Sequence, residues 1–577
     1  MTFNELKKNL KKDFTGLKRV KLALLGDSAT QFLSLALRAW GYEKGLDADV
    51  YEADYNLIYE TLMDGNNKLY RGEYEYIIIF QSAEKAADEF YHLPREERPL
   101  FAQKRASYMR VLADTVAANN PQAKIIFFNY PEIDDGVFGS FSAKTSYSLL
   151  HQIRKLNVLV QDLAQEKGSV FVVDVLSLVN RVGTSNAVSS KWYIVSQNVF
   201  QIDFLPAVAK ACIDIISAFA GRSNKCIILD LDNTIWGGVI GDDGMDRIQL
   251  GDLGIGKAFT QLQVWVKELK QRGVIVAVCS KNDERVAKEV FEKHPDMVLR
   301  LEDISLFVAN WSNKGDNLKY IQEVLNIGLD SMVFIDDNPF ERNLVRSMFP
   351  AITVPELPED PASYLTYLQS LNLFETVSFT DEDLQRTRQY QEESQRAVIR
   401  NSSESLEKYL AGLEMEAVVE TITPFNLARC AQLTQRSNQF NLTTIRYSEE
   451  QLTQFLNDGG KAVCISLKDR FGDYGLISLL LLEKKNDVME INTWIMSCRV
   501  LKRGVEEFAV NEVMKVAAAE GAAAVEGAYV STAKNSMVKD IYGSMGFEKL
   551  GDGKSRREVR CFQPFTTFIR RYDSRRN

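Results

Sequence analysis

Two aspartates, Asp230 and Asp232, follow an apolar run that begins at Cys226. Such a run predicts a strand buried on both faces of a parallel sheet, and ligands of such sheets bind beyond the carboxyl ends of the strands. Side chains two residues apart on a strand point to the same side, so the two carboxylates converge. Converging carboxylates repel each other unless a cation or a shared proton compensates them. The sequence therefore predicts a polar site at this strand end.

Further polar residues stand at the ends of later segments. They are Ser280 after the apolar run Val274–Cys279, Lys314 near the start of a predicted helix Asp316–Leu325, and Asp336 and Asp337 after the run Met332–Ile335. One strand-end acid could simply cap a helix or pair with a surface lysine. Two acidic pairs with a serine and a lysine between them are poorly explained in that way.

The order Asp-x-Asp-x-Thr, Ser, Lys and Asp-Asp resembles the four motifs of the haloacid dehalogenase superfamily. The resemblance implies a Mg²⁺-dependent phosphotransferase, in which Asp230 attacks phosphorus to form an aspartyl phosphate and Asp232 acts as acid and base. It also implies that Ser280 and Lys314 hold the phosphoryl oxygens. The implied metal site comprises Asp230, Asp232, Asp336 and Asp337, with residue 232 contributing its backbone carbonyl.

The spacing of these motifs leaves no room for a cap domain. A Gly-rich turn Trp236–Gly244, a predicted helix Lys257–Arg272 and one strand fill the interval from Thr234 to Ser280. A site without its own lid either accepts a large partner or borrows walls from neighbouring domains.

Composition restricts the class of protein. The chain of 577 residues is too long for one core, and we expect about three domains. Its net charge of −9 argues against nucleic-acid binding. Seven scattered cysteines without a CxxC pair predict reduced thiols and no structural zinc. No signal peptide or membrane span is evident, so we expect a cytoplasmic protein.

Residues 19 to 220 alternate apolar strands with amphipathic helices, which predicts a parallel sheet covered by helices. Gly26-Asp27-Ser28 resembles the first block of the SGNH hydrolases, where the Ser is an acyl-transfer nucleophile. That family has a His three residues after an Asp, whereas Asp203 is followed by Phe204, Leu205 and Pro206. A nucleophilic serine needs a base, so we predict a degenerate domain in which Ser28 caps a helix.

Residues 411 to 577 combine strands with two predicted helices, Gly504–Glu520 and Ser536–Met545. The segment Ile541–Phe547 resembles the final motif of GNAT acyltransferases, whose Tyr, here Tyr542, can protonate a leaving thiolate. Arg499, Lys502, Arg503 and Gly504 stand where that fold keeps its pyrophosphate loop, but the loop's other glycines are missing. We expect these residues to contact a phosphate of the phosphopantetheine group, whose thiol belongs either to a carrier protein or to coenzyme A.

Cys498 precedes this basic segment and a predicted helix start. Both features favour its thiolate, the form that acts as a nucleophile. The alternative is a buried thiol that behaves as a small apolar side chain.

Four segments together resemble the FkbH-like family over residues 20 to 550. They are Leu229–Gly241, Val278–Asp283, Asp336–Arg342 and Gln439–Thr444. The resemblance implies an α/β protein of three domains: an SGNH-like, flavodoxin-like three-layer α/β/α domain over 1–222, a capless haloacid dehalogenase (subclass IIIC) Rossmann-like α/β domain over 223–370, and a GNAT-like α+β domain over 411–577. A polar helical linker is expected over 371–410.

Two functional hypotheses follow from this resemblance. In the first, a Mg²⁺-dependent phosphatase or phosphotransferase is coupled to acyl transfer through Cys498. Its phosphorylated small-molecule substrate would be of the 1,3-bisphosphoglycerate type, and a glyceryl unit would be loaded onto an acyl carrier protein in polyketide or surface-polysaccharide biosynthesis. In the second, the flanking domains are non-catalytic modules that bind a carrier protein or a glycan.

Overall fold

The computed structural model describes residues 1–379, 390–392, 396, 405–437, 439–532 and 535–572, without the side chain of Cys498. The chain divides into two compact units, Met1–Ser217 and Ala218–Asn577. Residues 380–389, 393–395 and 397–404 of the predicted helical linker, 371–410, lie outside the described residues. Among the described helices, none combines the length and the apolar character needed to cross a bilayer.

The first unit is a parallel five-stranded sheet covered by helices, in the strand order β2-β1-β3-β4-β5. This is the flavodoxin-like order. The strands are β1 Lys18–Gly26, β2 Leu46–Glu52, β3 Tyr76–Phe80, β4 Lys124–Phe128 and β5 Val170–Val173. The α-helices are Phe3–Lys7, Gln31–Glu43, Ile58–Met63, Lys68–Arg71, Ala83–His92, Phe101–Asn119, Leu149–Glu166, Val175–Val182, Thr184–Ala187, Ser190–Ser196 and, at the unit boundary, Leu205–Phe219. The wholly buried strands β3 and β4 form its centre.

The second unit begins with a parallel four-stranded sheet in the order β8-β7-β6-β9. Its strands are β6 Cys226–Leu229, β7 Ile275–Ser280, β8 Leu306–Ala309 and β9 Met332–Ile335. Its α-helices are Ile240–Asp243, Gly256–Gln271, Glu284–Lys293, Lys314–Leu325, Pro339–Met348 and Tyr364–Leu371. Strand β6 lies between β7 and β9, and Leu229 is in register with Val278 and Ile335. The polar residues that follow these strands therefore meet at one edge.

A mixed eight-stranded sheet completes this unit, in the order β15-β16-β14-β13-β12-β11-β10-β17. Its strands are β10 Met415–Glu420, β11 Lys461–Asp469, β12 Gly472–Lys485, β13 Val488–Met496, β14 Ala524–Ala528, β15 Glu548–Gly551, β16 Lys554–Glu558 and β17 Ile569–Arg571. Its α-helices are Leu406–Gly412, Leu427–Arg436, Glu449–Asn457, Val505–Ala519 and Ile541–Ser544. The α/β fold class expected from the sequence is confirmed.

One predicted helix is wrong in its extent. The segment Ser536–Met545 forms a 3₁₀ turn, Ser536–Val538, followed by the short helix Ile541–Ser544. Gly543 and Gly546 weaken a helix here, and the backbone of Gly546 takes a positive φ of 73°.

Candidate active site

Three carboxylates meet at the carboxyl edge of the four-stranded sheet. Asp230 follows β6, and Asp336 and Asp337 follow β9. One oxygen from each lies within 4.8 Å of the other two. Asp336 is fully buried and Asp230 nearly so. Strand pairing places them together, because the amide of Asp230 donates to the carbonyl of Ile335 at 2.9 Å.

The ammonium of Lys314 lies among these carboxylates. Its Nζ is 2.9 Å from Asp230 Oδ1 and 2.5 Å from Asp336 Oδ2. Burial acts to lower the pKa of Lys314, but the two carboxylate charges together raise it above its ordinary value. Burial and the charge of Asp230 raise the pKa of Asp336 to about 7, although Lys314 opposes them. One ammonium therefore does not fully compensate the clustered acids.

Asp232 is held apart from this cluster. Its Oδ1 accepts hydrogen bonds from Trp236 Nε1 at 2.8 Å and from the amide of Ile240 at 3.0 Å. Its Oδ2 accepts one from Asn282 Nδ2 at 2.9 Å. The carboxylate of Asp232 is therefore not among the clustered ligand atoms, and a metal contact through this residue would use its backbone carbonyl. Fixed by three N–H donors, the side chain is oriented as a positioned acid or base would be.

Asn282 is a residue that the sequence analysis missed. It is 4% exposed and donates both to Asp232 and to Ser280 Oγ, the latter at 3.2 Å. It therefore joins the acid–base candidate to the serine that ends β7. No sequence pattern signals this role, since an Asn just after a strand usually indicates a turn.

Two more residues fix the backbone of the acidic pair. The Nη1 atom of Arg342 donates to the carbonyls of Asp336 and Asp337 at 2.8 and 2.6 Å. The amide of Asp337 donates to Thr234 Oγ1 at 3.1 Å. Thr234, the last residue of the first motif, thus ties the loop after β6 to the loop after β9.

The donor set suits a hard divalent cation. Carboxylate oxygens are the ligands that Mg²⁺ prefers, and a divalent ion would offset the charge that Lys314 leaves uncompensated. Asp230, Asp336 and Asp337 are the described residues that could hold it.

The described residues between Thr234 and Ser280 form the helices Ile240–Asp243 and Gly256–Gln271 and strand β7, without a separate cap domain. The Gly-rich turn contains only the short helix Ile240–Asp243 among its described residues. Two large side chains stand close in sequence to the cluster and face solvent: Trp311 is 77% exposed and Phe340 is 69% exposed. Each is three residues from a member of the site in the chain: Trp311 precedes Lys314, and Phe340 follows Asp337.

The basic residues expected to bind a phosphate near β13 are mostly buried. Arg503 is 5% exposed, lies with Nη1 3.8 Å from Asp469 Oδ2 and donates to the hydroxyl of Tyr474. Arg499 is also buried and donates to Ser497 Oγ and to the carbonyl of Tyr474, both at 3.3 Å. These contacts stabilise the domain interior and do not support the predicted phosphate contacts.

The helix start after these residues is acidic. Lys502 and Gly504 both have positive φ, and the helix begins at Val505. The carboxylate of Glu506 accepts the amide of Lys502 at 3.0 Å, and Glu507 also lies in the first turn. Acids already occupy the end of the helix where a phosphate would be favoured.

A segment of the chain itself fills the gap between β13 and β14. The pairing of these two strands ends at Ile491 and Gly527. Beyond that point the segment Phe440–Leu442, here called the wedge segment, bonds to both sides. The amide of Leu442 donates to Trp494 O at 3.2 Å, that of Met496 to Phe440 O at 3.1 Å, and that of Val530 to Leu442 O at 2.8 Å. Diverging strand edges can bind extended ligands through main-chain hydrogen bonds. Here the wedge segment already pairs with main-chain groups of both edges.

Two further candidates lie near the wedge segment. Tyr542 is 3% exposed, and its ring packs on Trp494 and Phe547. Burial raises the pKa of its hydroxyl, which has no hydrogen-bond partner among the described residues. The backbone of Cys498 begins a 3₁₀ turn, while its side chain lies outside the structural description. The reactive thiol therefore stays a prediction.

Ser28 in the first unit is 1% exposed. The amide of the next residue, Ala29, donates to the carbonyl of Gln197 at 2.9 Å, so the loop after the helix Ser190–Ser196 packs against this turn. The neighbouring Asp27 is also buried and accepts the amide of Ser82 at 2.9 and 3.0 Å. A serine enclosed in this way is not accessible to an ester substrate, which favours the non-hydrolytic interpretation. The predicted capping role of Ser28 is wrong, because the next helix is Gln31–Glu43 and its N-cap residue is Thr30.

Known proteins resemble parts of this chain. Residues 21–217 match the family model "FkbH, N-terminal domain". The chain is 46% identical to the N-terminal part of a Bacteroides fragilis protein, solved as a crystal structure containing a phosphatase domain complexed with Mg. The match has a TM-score of 0.63 and covers 66% of this chain and all of that one.

Other solved structures were matched over a quarter of the chain. The ribosomal-protein-S18-alanine N-acetyltransferase of Escherichia coli is 11% identical, with a TM-score of 0.20 over 25% of this chain and 94% of that one. The spermidine N-acetyltransferase of Vibrio cholerae, solved with CoA and spermine, is 13% identical, with a TM-score of 0.20 over 25% and 96%. A search of curated proteins found no match.

Proposed function

Since the chain belongs to the FkbH-like family, we propose that it is a Mg²⁺-dependent phosphatase or phosphotransferase acting on a phosphorylated small molecule. The observation that carries the proposal is the cluster of Asp230, Asp336 and Asp337 around Lys314. Carboxylates are forced together there without full compensation, at the edge where parallel sheets bind ligands.

In the proposed reaction, a carboxylate oxygen of Asp230 attacks phosphorus, and the bond from phosphorus to the leaving oxygen breaks. Asp232 gives that oxygen a proton, and it later takes a proton from the water that hydrolyses the aspartyl phosphate. Asn282 keeps Asp232 in place during both steps. Ser280 and Lys314 bind the phosphoryl oxygens.

Asp230, Asp336 and Asp337 would hold the magnesium ion, with the backbone carbonyl of residue 232. When bound, Mg²⁺ neutralises charge on the carboxylates and the phosphoryl group and so permits attack by an anion. The crystal structure of the Bacteroides relative with Mg supports magnesium as the bound metal.

For the C-terminal domain we favour a non-catalytic role, the binding of a carrier protein or a glycan, over acyl transfer. The observations behind this choice are the wedge segment between β13 and β14 and the acidic first turn of the helix Val505–Ala519. Loading of a glyceryl unit onto an acyl carrier protein, by way of Cys498 or of bound coenzyme A, is the competing proposal. It predicts a covalent adduct on a thiol, which intact-protein mass spectrometry after incubation with an acyl phosphate would detect.

Phosphate release from a panel of phosphorylated three-carbon acids and sugar phosphates tests the phosphatase proposal. We expect release from wild-type protein with Mg²⁺, loss of release on chelation, and loss in Asp230→Asn. Asp252→Asn makes the same chemical change at an exposed loop position and should leave the rate unchanged. Equal Mg²⁺-dependent rates for Asp230→Asn and wild type would contradict the proposal.

A further inference from the structure

An ion pair joins the end of β7 to the helix that follows β9. Lys281 comes directly after β7, and its Nζ lies 2.6 Å from Oε1 of Glu341. Glu341 belongs to the first turn of the helix Pro339–Met348, which begins soon after Asp337. The pair therefore connects two segments that both supply residues to the candidate active site.

The segment at the end of β7 carries two residues of that site. Ser280 is the proposed ligand of a phosphoryl oxygen, and Asn282 donates to Asp232 and to Ser280 Oγ. Both side chains are buried, and Lys281 stands between them in the chain. A contact that fixes Lys281 also restricts the backbone on which its two neighbours are carried.

The first turn of the helix Pro339–Met348 fixes the other side of the site. Arg342 donates to the backbone carbonyls of Asp336 and Asp337. The preceding residue, Glu341, holds the end of β7 through its ion pair. Two consecutive residues of one helical turn therefore link the acidic pair to the residues that follow β7.

The carboxylate of Glu341 contributes little to stability for a buried charge. Glu341 is 5% exposed, and its Oε2 has no hydrogen-bond partner among the described residues. A buried carboxylate oxygen without a donor costs free energy. The side chain of Lys281 is 38% exposed, so water weakens the attraction that would offset this cost. Proteins retain such unfavourable arrangements mainly at functional sites.

We infer that Lys281 and Glu341 are positioning residues for the proposed phosphotransfer. Their ion pair holds the end of β7 in the geometry in which Ser280 meets a phosphoryl oxygen and Asn282 orients Asp232. The inference rests on the proposed function and adds to it two residues that act through their neighbours.

Steady-state kinetics of the full chain with p-nitrophenyl phosphate, at saturating Mg²⁺, tests the inference. Glu341→Gln keeps the size of the side chain and removes its charge, so kcat should fall about 10- to 100-fold with little change in KM. Lys281→Met should have the same effect, whereas Lys281→Arg retains the ion pair and should keep most of the wild-type kcat. Lys293→Met, which breaks an exposed ion pair with Glu289, is the control and should leave both constants unchanged.

The kinetic outcomes separate this inference from the proposed function. Wild-type protein that releases no phosphate with Mg²⁺, from this probe or from the panel of phosphorylated acids and sugars, would overturn both. Active wild-type protein with an unchanged kcat in Glu341→Gln would overturn the positioning role alone. A raised KM with unchanged kcat would assign the pair to substrate binding and would also overturn that role.

A double variant separates positioning from a purely structural role. Lys281→Met/Glu341→Met replaces both charges by apolar side chains of similar size, a change that is often neutral or stabilising for a buried ion pair. The midpoint of urea unfolding in EDTA should therefore equal or exceed that of wild type, while kcat stays as low as in Glu341→Gln. A lower midpoint that accounts for the lost activity, or a kcat restored to the wild-type value, would overturn the inference.

Discussion

Two strand-end regions of the second unit differ in how far their polar groups are paired within the protein. They are the carboxyl edge of the four-stranded sheet and the gap between β13 and β14. At the first, Asp230, Asp336 and Asp337 crowd around one ammonium. At the second, the wedge segment pairs with both strands, and Phe440 packs edge-on to Trp494 with ring centroids 5.2 Å apart. In the first region buried carboxylate charge is not fully compensated. In the second the main-chain groups are paired, and the unpaired buried atoms among the described residues are neutral donors, Trp494 Nε1 and the Tyr542 hydroxyl.

Both regions resemble known sites in sequence, but they differ in whether their buried groups call for a ligand. Folded proteins pair their buried polar groups, so a buried cluster that stays uncompensated calls for a ligand. In a cleft whose main-chain groups are already hydrogen-bonded, each bond that an incoming ligand makes would replace one that the protein already has. Sequence motifs point to both regions, while the contacts favour chemistry at the first.

The largest effect is expected for Lys314→Met. Phosphate release should fall about 10²- to 10³-fold, because one donor to the phosphoryl oxygens is lost. Without metal, the free energy of unfolding should fall by about 3–5 kcal/mol, since Asp230 and Asp336 lose their ion pairs. Urea unfolding in EDTA and in MgCl₂ would show partial recovery with the metal. Lys319→Met, an exposed change on the same helix, should change neither the rate of phosphate release nor the free energy of unfolding. Equal effects of the two variants would contradict the comparison.

Asn282→Ala should lower kcat about 10- to 100-fold with little change in KM, because Asp232 loses one of its three donors. Steady-state kinetics at saturating Mg²⁺ measures both constants. Asn343→Ala, an exposed change on the helix Pro339–Met348, is the matched control. An unchanged kcat in Asn282→Ala would show that Asp232 needs no support from this side chain.

Asn535→Ala tests the gap between β13 and β14. Asn535 Nδ2 donates to the carbonyls of Asn441 and Val530, both at 2.9 Å. Its removal should lower the free energy of unfolding by about 2–4 kcal/mol and leave phosphate release unchanged. A coenzyme A titration completes the test: saturable binding to wild-type protein would show that the wedge segment yields to a ligand, and the contrast between the two regions would fail.

The smallest effect is expected for Trp311→Ala. If the exposed ring of Trp311 contacts the organic part of a substrate, KM for p-nitrophenyl phosphate should rise about 2- to 10-fold with kcat unchanged. KM for acetyl phosphate, which has no aromatic group, should not change. Phe425→Ala, at an aromatic that is 99% exposed in the C-terminal domain, is the control. An equal rise for both substrates would argue against a contact between Trp311 and the aromatic group of the substrate.

The sequence predicted the fold class because buried parallel strands such as β6 and β9 are continuous apolar runs. It missed β2, an edge strand rich in charge, and β8, which has only four residues. It also missed β14 to β17, which are three to five residues long. The grouping of Asp230, Asp336 and Lys314 follows from parallel strands ending at one edge. The contacts of Asn282 and Arg342 do not follow, because they depend on side-chain directions that no short motif encodes.

The wedge segment was beyond prediction for a related reason. Its bonds reach Trp494, Met496 and Val530, far along the chain, and no hydrophobic period marks them. The same separation has a consequence for folding. Residue 442 can complete its bonds only after the chain through Val530 has been made and β13 and β14 have paired. Because contacts between distant parts of the chain form slowly, closure of this gap should be among the last events in the folding of the second unit.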